Sequence, residues 1–306
     1  MNILILGAGA LGSYFGGRLQ LNGSDVTLII KNSKHLNAVR LNGLTIKTDG
    51  KNETTEIASV SSDSVTELKT GYDAIFVFTK SKDTFSALNS SKHLIGSDTV
   101  LVTLQNGIGN EKILSRFSER VIYGCTTLPA DIKTPGSVVS SGSHETIFYP
   151  LLKTDLKMTH KILFLLNKCG IPSRLNENIY SDIWKKAVFN SAVNVICALI
   201  QGCPVEIAKS KSLTKLAKNI ISEGCNVGKQ LGINLNQREI IQMFTVSITE
   251  HGNHKPSMLV DVLNNRKTEV KSITGQIIDG GEKANVQTPY NRVMYAMMSA
   301  LEDNFM

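Results

Sequence analysis

The chain has 306 residues, 42% of them hydrophobic, and a formal charge of +7. That is enough for one large domain or two ordinary ones. Aromatic residues are only 6% and the lysines are spread through amphipathic stretches such as residues 207–220, which leaves no nucleic-acid footprint and suits small anionic ligands.

Residues 2–6 form a short apolar run, followed by glycines and a helical pattern through Leu21. Residues 24–30, 72–79, 98–105 and 119–128 are further apolar runs, and those at 72–79 and 98–105 end in polar residues. Such runs alternating with helical segments predict a parallel sheet covered on both faces. Residues 135–150 alternate between small polar and apolar types, which predicts an antiparallel hairpin closing the sheet. Residues 58–65 read as a surface loop and strand, and 158–172 as a helix ended by Gly170 and Pro172. Beyond residue 176 only helical patterns remain: 180–201, 211–231, 236–250, 256–266, 268–280 and 288–303. The predicted architecture is α/β: an N-terminal parallel-sheet domain over 1–175, then an all-helical domain over 176–306.

No run of 18 apolar residues occurs and the N-terminus has no basic flank, which predicts neither a membrane span nor a secretory leader. Cys125, Cys169, Cys197, Cys203 and Cys225 are scattered without a C-x-x-C pair. They read as reduced thiols, with a cytoplasmic location expected. The six histidines have no ligand spacing beyond the pair His251/His254, which reads as polar loop chemistry, so no metal is expected.

"GAGALG", residues 7–12, is G-x-G-x-x-G between a strand and a helix. Gly7 permits the tight turn, Gly9 leaves room for a pyrophosphate, and Gly12 lets helix and strand pack closely. The backbone of Ala8, Ala10 and Leu11 completes a phosphate loop at a helix N-terminus. The alternative is a plain glycine-rich turn. The second strand ends at Lys31, Asn32, Ser33 and Lys34 with no carboxylate for a ribose 2′-hydroxyl. A lysine there suits a 2′-phosphate, so NADP(H) is expected over NAD(H).

Ligands of open α/β sheets bind beyond the carboxyl ends of the strands. Thr79 and Lys80 follow one strand; Gln105, Asn106 and Gly107 follow the next, with Glu111 on the helix after it. Asn106 offers an amide near the nicotinamide end of a cofactor, although Asn106–Gly107 is also an ordinary turn pair.

Residues 181–195, "SDIWKKAVFNSAVNV", read as a buried helix, yet Lys186, Asn190 and Asn194 form one polar stripe at four-residue spacing. An unpaired buried polar group costs roughly 1–3 kcal/mol, so a core helix would not carry three. Hydride transfer to a carbonyl needs a proton donor at the oxygen. Lys186 can be that donor, and Asn190 and Asn194 can orient a polar substrate; a polar contact between domains is the alternative. In residues 254–275, Ser257, Asp261 and Glu269 offer matching groups, with Glu269 a carboxylate that could hold an ammonium or a substrate hydroxyl.

Together, GAGALG, the TK after the third apolar strand, QNGIGNE, WKKAVFNSAVN, PSMLVDVLNNRKTEV and NVQTPYN resemble the ketopantoate reductase family (2-dehydropantoate 2-reductases), in order along nearly the whole chain. The resemblance implies an N-terminal Rossmann dinucleotide-binding domain over 1–175 and a helical substrate-binding and catalytic domain over 176–306, with NADPH-dependent reduction of 2-dehydropantoate to (R)-pantoate, on the way to pantothenate and coenzyme A, in a cleft between the two domains. It implies Lys186 as catalytic proton donor and Glu269 as its acidic partner. It implies Asn190, Asn194 and Ser257 on the substrate, and Asn106 against both cofactor and substrate. Gly7, Gly9, Gly12 and Lys80 fall at its cofactor positions. A homodimer is a family-level expectation. Two positions depart from the pattern: Lys31 stands where arginine is common, a point charge in place of a bidentate fork, and Asp83 stands where glutamine is common. Two alternatives stay open. One is a reductase of another branched 2-oxo acid, since one methylene is worth only about 1–3 kcal/mol. The other is a non-catalytic NADP-sensing protein of the same fold.

Overall fold

The computed structural model describes residues 1–142, 144–152 and 155–305. They form two compact units: Met1–Gln105 with Asn110–Ile179, and Tyr180–Met306 together with the short segment Asn106–Gly109.

The first unit begins with β1 (Asn2–Leu6), α1 (Ala10–Leu21), β2 (Asp25–Ile30) and α2 (Ser33–Asn42). Then come β3 (Leu44–Thr48), β4 (Lys51–Thr55), β5 (Ala58–Ser61), β6 (Ala74–Val77), α3 (Thr84–Ser90), β7 (Val100–Thr103), α4 (Asn110–Leu114) and β8 (Val121–Thr126). It closes with β9 (Asp131–Thr134), β10 (Ser137–Ser140), β11 (Thr146–Pro150), α5 (Leu156–Lys168) and β12 (Ser173–Leu175). The main sheet runs β12-β11-β8-β7-β6-β1-β2-β5. From β5 to β8 it is parallel; β11 pairs antiparallel to β8. The chain leaves β1 toward β2 and later returns to β6 on its other side, so the switch point of this Rossmann sheet lies between β1 and β6.

Successive side chains of a strand face opposite layers. Ile3 and Ile5 pack with α1 and α5, whereas Leu4 and Leu6 pack with Leu88 of α3 and Leu114 of α4. Both faces are therefore covered, which explains the unbroken apolar runs in the sequence. A second, four-stranded sheet, β4-β3-β10-β9, lies over α1. Gly16 and Gly17 allow this layering. A Cβ on Gly16 would stand 2.5 Å from Leu28 of the main sheet, and one on Gly17 would stand 2.3 Å from Ile46 of the small sheet. Helix α1 is thus buried from both sides.

The small sheet corrects one expectation. Residues 135–150 are not one hairpin: β10 pairs antiparallel with β9 and parallel with β3, while β11 belongs to the main sheet. Alternation identifies a half-buried strand but not its partner. The β3–β4 hairpin turns at Asp49 (φ +48°) and Gly50 (φ +82°), an Asp-Gly pair suited to such turns. Strand β4, "KNETT", has no apolar residue to announce it.

The second unit contains α6 (Ile179–Ile200), α7 (Pro204–Lys209), α8 (Lys211–Gln230), α9 (Gln237–Thr249), α10 (Ser257–Leu263), α11 (Gln276–Lys283) and α12 (Pro289–Glu302). A π-helical turn, Lys271–Gly275, precedes α11. Ser210 and Asn236 cap α8 and α9 with their side chains, and prolines open α7 and α12, as helix starts favour. Helix α6 is the centre. Its Val188, Ala192, Val193 and Ile196 pack with Ile220 and Ile221 of α8, Phe244 of α9, Met258 of α10 and Met298 of α12. Gly224 of α8 brings that helix close: a Cβ there would lie 2.6 Å from Val188.

By length and composition α6 could cross a membrane, contrary to the sequence reading, but 72% of its most apolar window is buried within the protein. That burial marks a core helix. Each of its fully covered Val or Ile side chains contributes about 1.5–3 kcal/mol. Burial also quiets the thiols: it pushes Cys197 on this helix up to about 12 and Cys225 on α8 up to about 11.

Candidate active site

In the first unit, the loop Gly7–Gly12 joins β1 to α1 at the switch point. Gly7 has φ +97°, and a Cβ on it would lie 2.7 Å from the backbone N of Thr79, after β6. A Cβ on Gly12 would lie 2.5 Å from the carbonyl of Gly7, so this glycine lets α1 start tight against β1. Gly9 is different. It is exposed, and among the described residues nothing lies within 4 Å of a Cβ built on it. The first intrahelical bond runs from Ser13 N–H to Gly9 O, so the amides of Ala10, Leu11 and Gly12 precede the helical ladder. Among the described residues no side chain caps α1, and its first turn has no acidic residue. An open glycine before uncapped amides fits a pyrophosphate, whose charge the helix dipole favours.

Lys31 is exposed just beyond β2. Asn32 is committed locally: its side chain accepts from His35 N–H and caps α2. Ser33 and Lys34 open α2 on the exposed surface, with no acid in its first turn. The ends of β6 and β7 are tied together by Gln105, whose side-chain amide donates to the Thr79 carbonyl and to Thr84 Oγ1, while Thr103 Oγ1 donates to its oxygen. Half-buried Lys80 follows in the turn so held.

In the second unit, Lys186, Asn190 and Asn194 all lie on α6, one turn apart. Lys186 is partly buried; Asn190 and Asn194 are 6% and 8% exposed. Neither asparagine amide makes a side-chain hydrogen bond among the described residues. The adjacent Lys185 is engaged elsewhere and reaches Glu239 at 2.8 Å and Asp182 at 3.6 Å. Burial works against its charge, but the hydrogen bonds and charges of Glu239 and Asp182 outweigh this and raise its pKa.

The segment Asn106–Gly109 lies against the π-helical turn. Ile108 N–H donates to Ser272 O at 2.9 Å, and Asn106 Nδ2 donates to Glu269 Oε2 at 3.3 Å. Gly107, at φ +91°, must be a glycine: a Cβ would lie 2.6 Å from Ser272 O. Glu269 is itself placed from behind. Glu302 of α12 accepts from Thr268 N–H and Oγ1–H, and Thr268 Oγ1 accepts from Val270 N–H. The widened ladder follows at once, with Gly275 N–H bonded to Val270 O. Such π turns often occur at functional sites. Ser257 is exposed in the first turn of α10. Asp261 of the same helix is buried and paired with Arg266 at 3.3 Å, a structural pairing.

The structure therefore brings Asn106 to Glu269 and sets Lys186, Asn190 and Asn194 on one face of α6. Sequence pattern gives no sign of Thr268 and Glu302, which position Glu269, or of His35, which is buried beside the Gly7–Gly12 loop. The spacing of Thr268 and Glu302 offered no local cue.

Two family models match the chain: "Ketopantoate reductase PanE/ApbA" over residues 3–153 and "Ketopantoate reductase PanE/ApbA C terminal" over residues 178–302. The chain is 34% identical to the 2-dehydropantoate 2-reductase of Pyrococcus abyssi, covering 99% of this chain and 98% of that one. It is 31% identical, over the same shares, to the 2-dehydropantoate 2-reductase of Streptococcus pyogenes serotype M18. Among solved structures it is similar to D-mandelate dehydrogenase with NADH and anilino(oxo)acetate. The two are 30% identical with a TM-score of 0.93, over 100% of this chain and 99% of that one. Matched by both models, and by these relatives along nearly its full length, the chain belongs to the ketopantoate reductase family.

Proposed function

We propose that this protein reduces 2-dehydropantoate to (R)-pantoate with NADPH. The observation that carries the reading is the polar stripe of α6, with two nearly buried amides left unpaired beside Lys186 in an otherwise apolar core helix. Amides set on so apolar a helix without a protein partner are placed to pair with a polar ligand.

A nicotinamide bound beside this stripe would supply the hydride. Lys186 donates a proton to the substrate's 2-oxo oxygen as negative charge develops there. Asn190 and Asn194 donate to the hydroxyl and carboxylate oxygens of the substrate, and the Ser257 hydroxyl adds a donor to the carboxylate. Glu269, fixed by Asn106 and by the Thr268–Glu302 pair behind it, is the acidic partner that orients the ammonium of Lys186. Gly7, Ala8, Gly9, Ala10, Leu11 and Gly12 hold the pyrophosphate. Lys31 takes the adenosine 2′-phosphate, while Lys80 and Asn106 contact the rest of the cofactor.

A second reading has a specific observation behind it. The likeness to D-mandelate dehydrogenase carrying NADH supports a reductase of another 2-oxo acid that uses NADH. Absorbance at 340 nm separates the two, with NADPH and NADH each offered 2-dehydropantoate, 2-oxoisovalerate, pyruvate and benzoylformate. The highest kcat/KM is expected for NADPH with 2-dehydropantoate. A higher kcat/KM for NADH with benzoylformate would replace the proposal with the second reading.

A further inference from the structure

His35 is 2% exposed, and burial lowers its pKa. Its tautomer is fixed by its partners. The backbone N–H of Gly136, in the β9–β10 turn, donates to Nδ1 at 3.0 Å. A backbone amide can only donate, so the ring proton sits on Nε2. That atom lies 3.0 Å from Ser13 Oγ of α1, and donates to it. The Ser13 hydroxyl then donates to the carbonyl of Ala8 at 3.1 Å, which can only accept. The direction of the whole chain of bonds is thereby set at both ends.

That chain of bonds ends inside the phosphate loop. Ala8 lies between Gly7 and Gly9, and its own N–H donates to Ile29 O of β2 at 2.8 Å. With its carbonyl tied to Ser13, Ala8 is held on both sides. This fixes the peptide that leads into Gly9 and into the uncapped amides of α1. Ser13 is 0% and Ala8 4% exposed, so water does not compete for these bonds.

We propose that His35 is a positioning residue for the dinucleotide site, acting through Ser13 on Ala8 to hold the phosphate loop in its binding conformation. The proposal rests on the reading of residues 7–12 as the pyrophosphate loop. Preorganisation of that kind appears as affinity. Because NADPH and NADH share the pyrophosphate, the relay acts equally on both, whereas a contact to the 2′-phosphate acts on NADPH alone.

The test is fluorescence titration of purified protein with NADPH and with NADH, alongside thermal melting. Ser13→Ala removes the middle of the relay. In His35→Asn the side-chain oxygen can still accept from Gly136, but nothing reaches Ser13. In His35→Gln the amide can donate where Nε2 did. Ser13→Ala and His35→Asn are expected to raise Kd about three- to tenfold, by the same factor for both cofactors. His35→Gln is expected to keep wild-type affinity, and the Ser13→Ala/His35→Asn double variant to bind no more weakly than either single one. Wild-type Kd in folded Ser13→Ala or His35→Asn would overturn the proposal, as would multiplying effects in the double variant or a loss confined to NADPH. Should Ser13→Ala not fold, the contrast between Asn and Gln at position 35 decides alone. A wild-type protein that binds neither cofactor would instead refute the phosphate-loop reading on which the proposal stands.

Discussion

Asn106 Nδ2 donates to Glu269 Oε2 at 3.3 Å, joining residues 163 positions apart. The contact depends on Gly107, whose φ of +91° and close approach to Ser272 admit no side chain. Gly107→Ala adds left-handed strain of about 1–2 kcal/mol and must push the segment off the π turn. The expected outcome is a folded protein with a lowered melting temperature and a reduced kcat/KM for the 2-oxo acid. Unchanged kinetics would remove Asn106 from the site.

Gly9 and Gly7 should respond oppositely to the same change. A methyl group on Gly9 meets no protein atom, so Gly9→Ala should melt as the wild type does. It should nonetheless weaken NADPH binding by about tenfold or more, because the methyl occupies the phosphate's place. Gly7→Ala, at φ +97° and 2.7 Å from Thr79 N, should lose stability by about 2 kcal/mol or more. Melting curves with and without NADPH distinguish the two.

Lys31 stands exposed beyond β2 with no carboxylate beside it in the sequence. If it meets the 2′-phosphate, Lys31→Ala raises KM for NADPH roughly tenfold and leaves that for NADH within about twofold. Equal effects on both cofactors, measured by steady-state kinetics, would take Lys31 out of the cofactor site.

A structural carboxylate provides a contrast. Glu223 of α8 is 7% exposed and accepts from the backbone amides of Tyr290 and Asn291 and from Asn291 Nδ2, at 2.8–2.9 Å. It is the cap that α12 lacks in its own sequence. Glu223→Ala leaves these donors without an acceptor and should cost about 2–4 kcal/mol in denaturant unfolding.

Much of this was legible in the residues. The apolar runs of β1, β2, β6, β7 and β8 and the glycine spacing announced the Rossmann sheet, and the four-residue spacing of Lys186, Asn190 and Asn194 announced a polar face on α6. What escaped has physical causes. Strand β4 is wholly polar and pairs through its backbone, so hydropathy cannot see it; only Asp49–Gly50 hinted at the turn. Residues 135–150 alternate as strands do, but their partners are set by tertiary packing. The grouping of Asn106–Gly109 with the second unit, and the support of Glu269 by Glu302, join residues far apart in the chain. The role of His35 is invisible in the sequence because its ring partners, Ser13 and Gly136, come from distant parts of the chain.

The most direct test of the proposed chemistry is Lys186→Ala, with kcat on 2-dehydropantoate and Kd for NADPH measured on the same preparation. The predicted result is a fall in kcat of about 10²–10⁴-fold while Kd stays within about twofold of wild type. An unchanged kcat accompanied by lost NADPH affinity would contradict the role of Lys186 as proton donor.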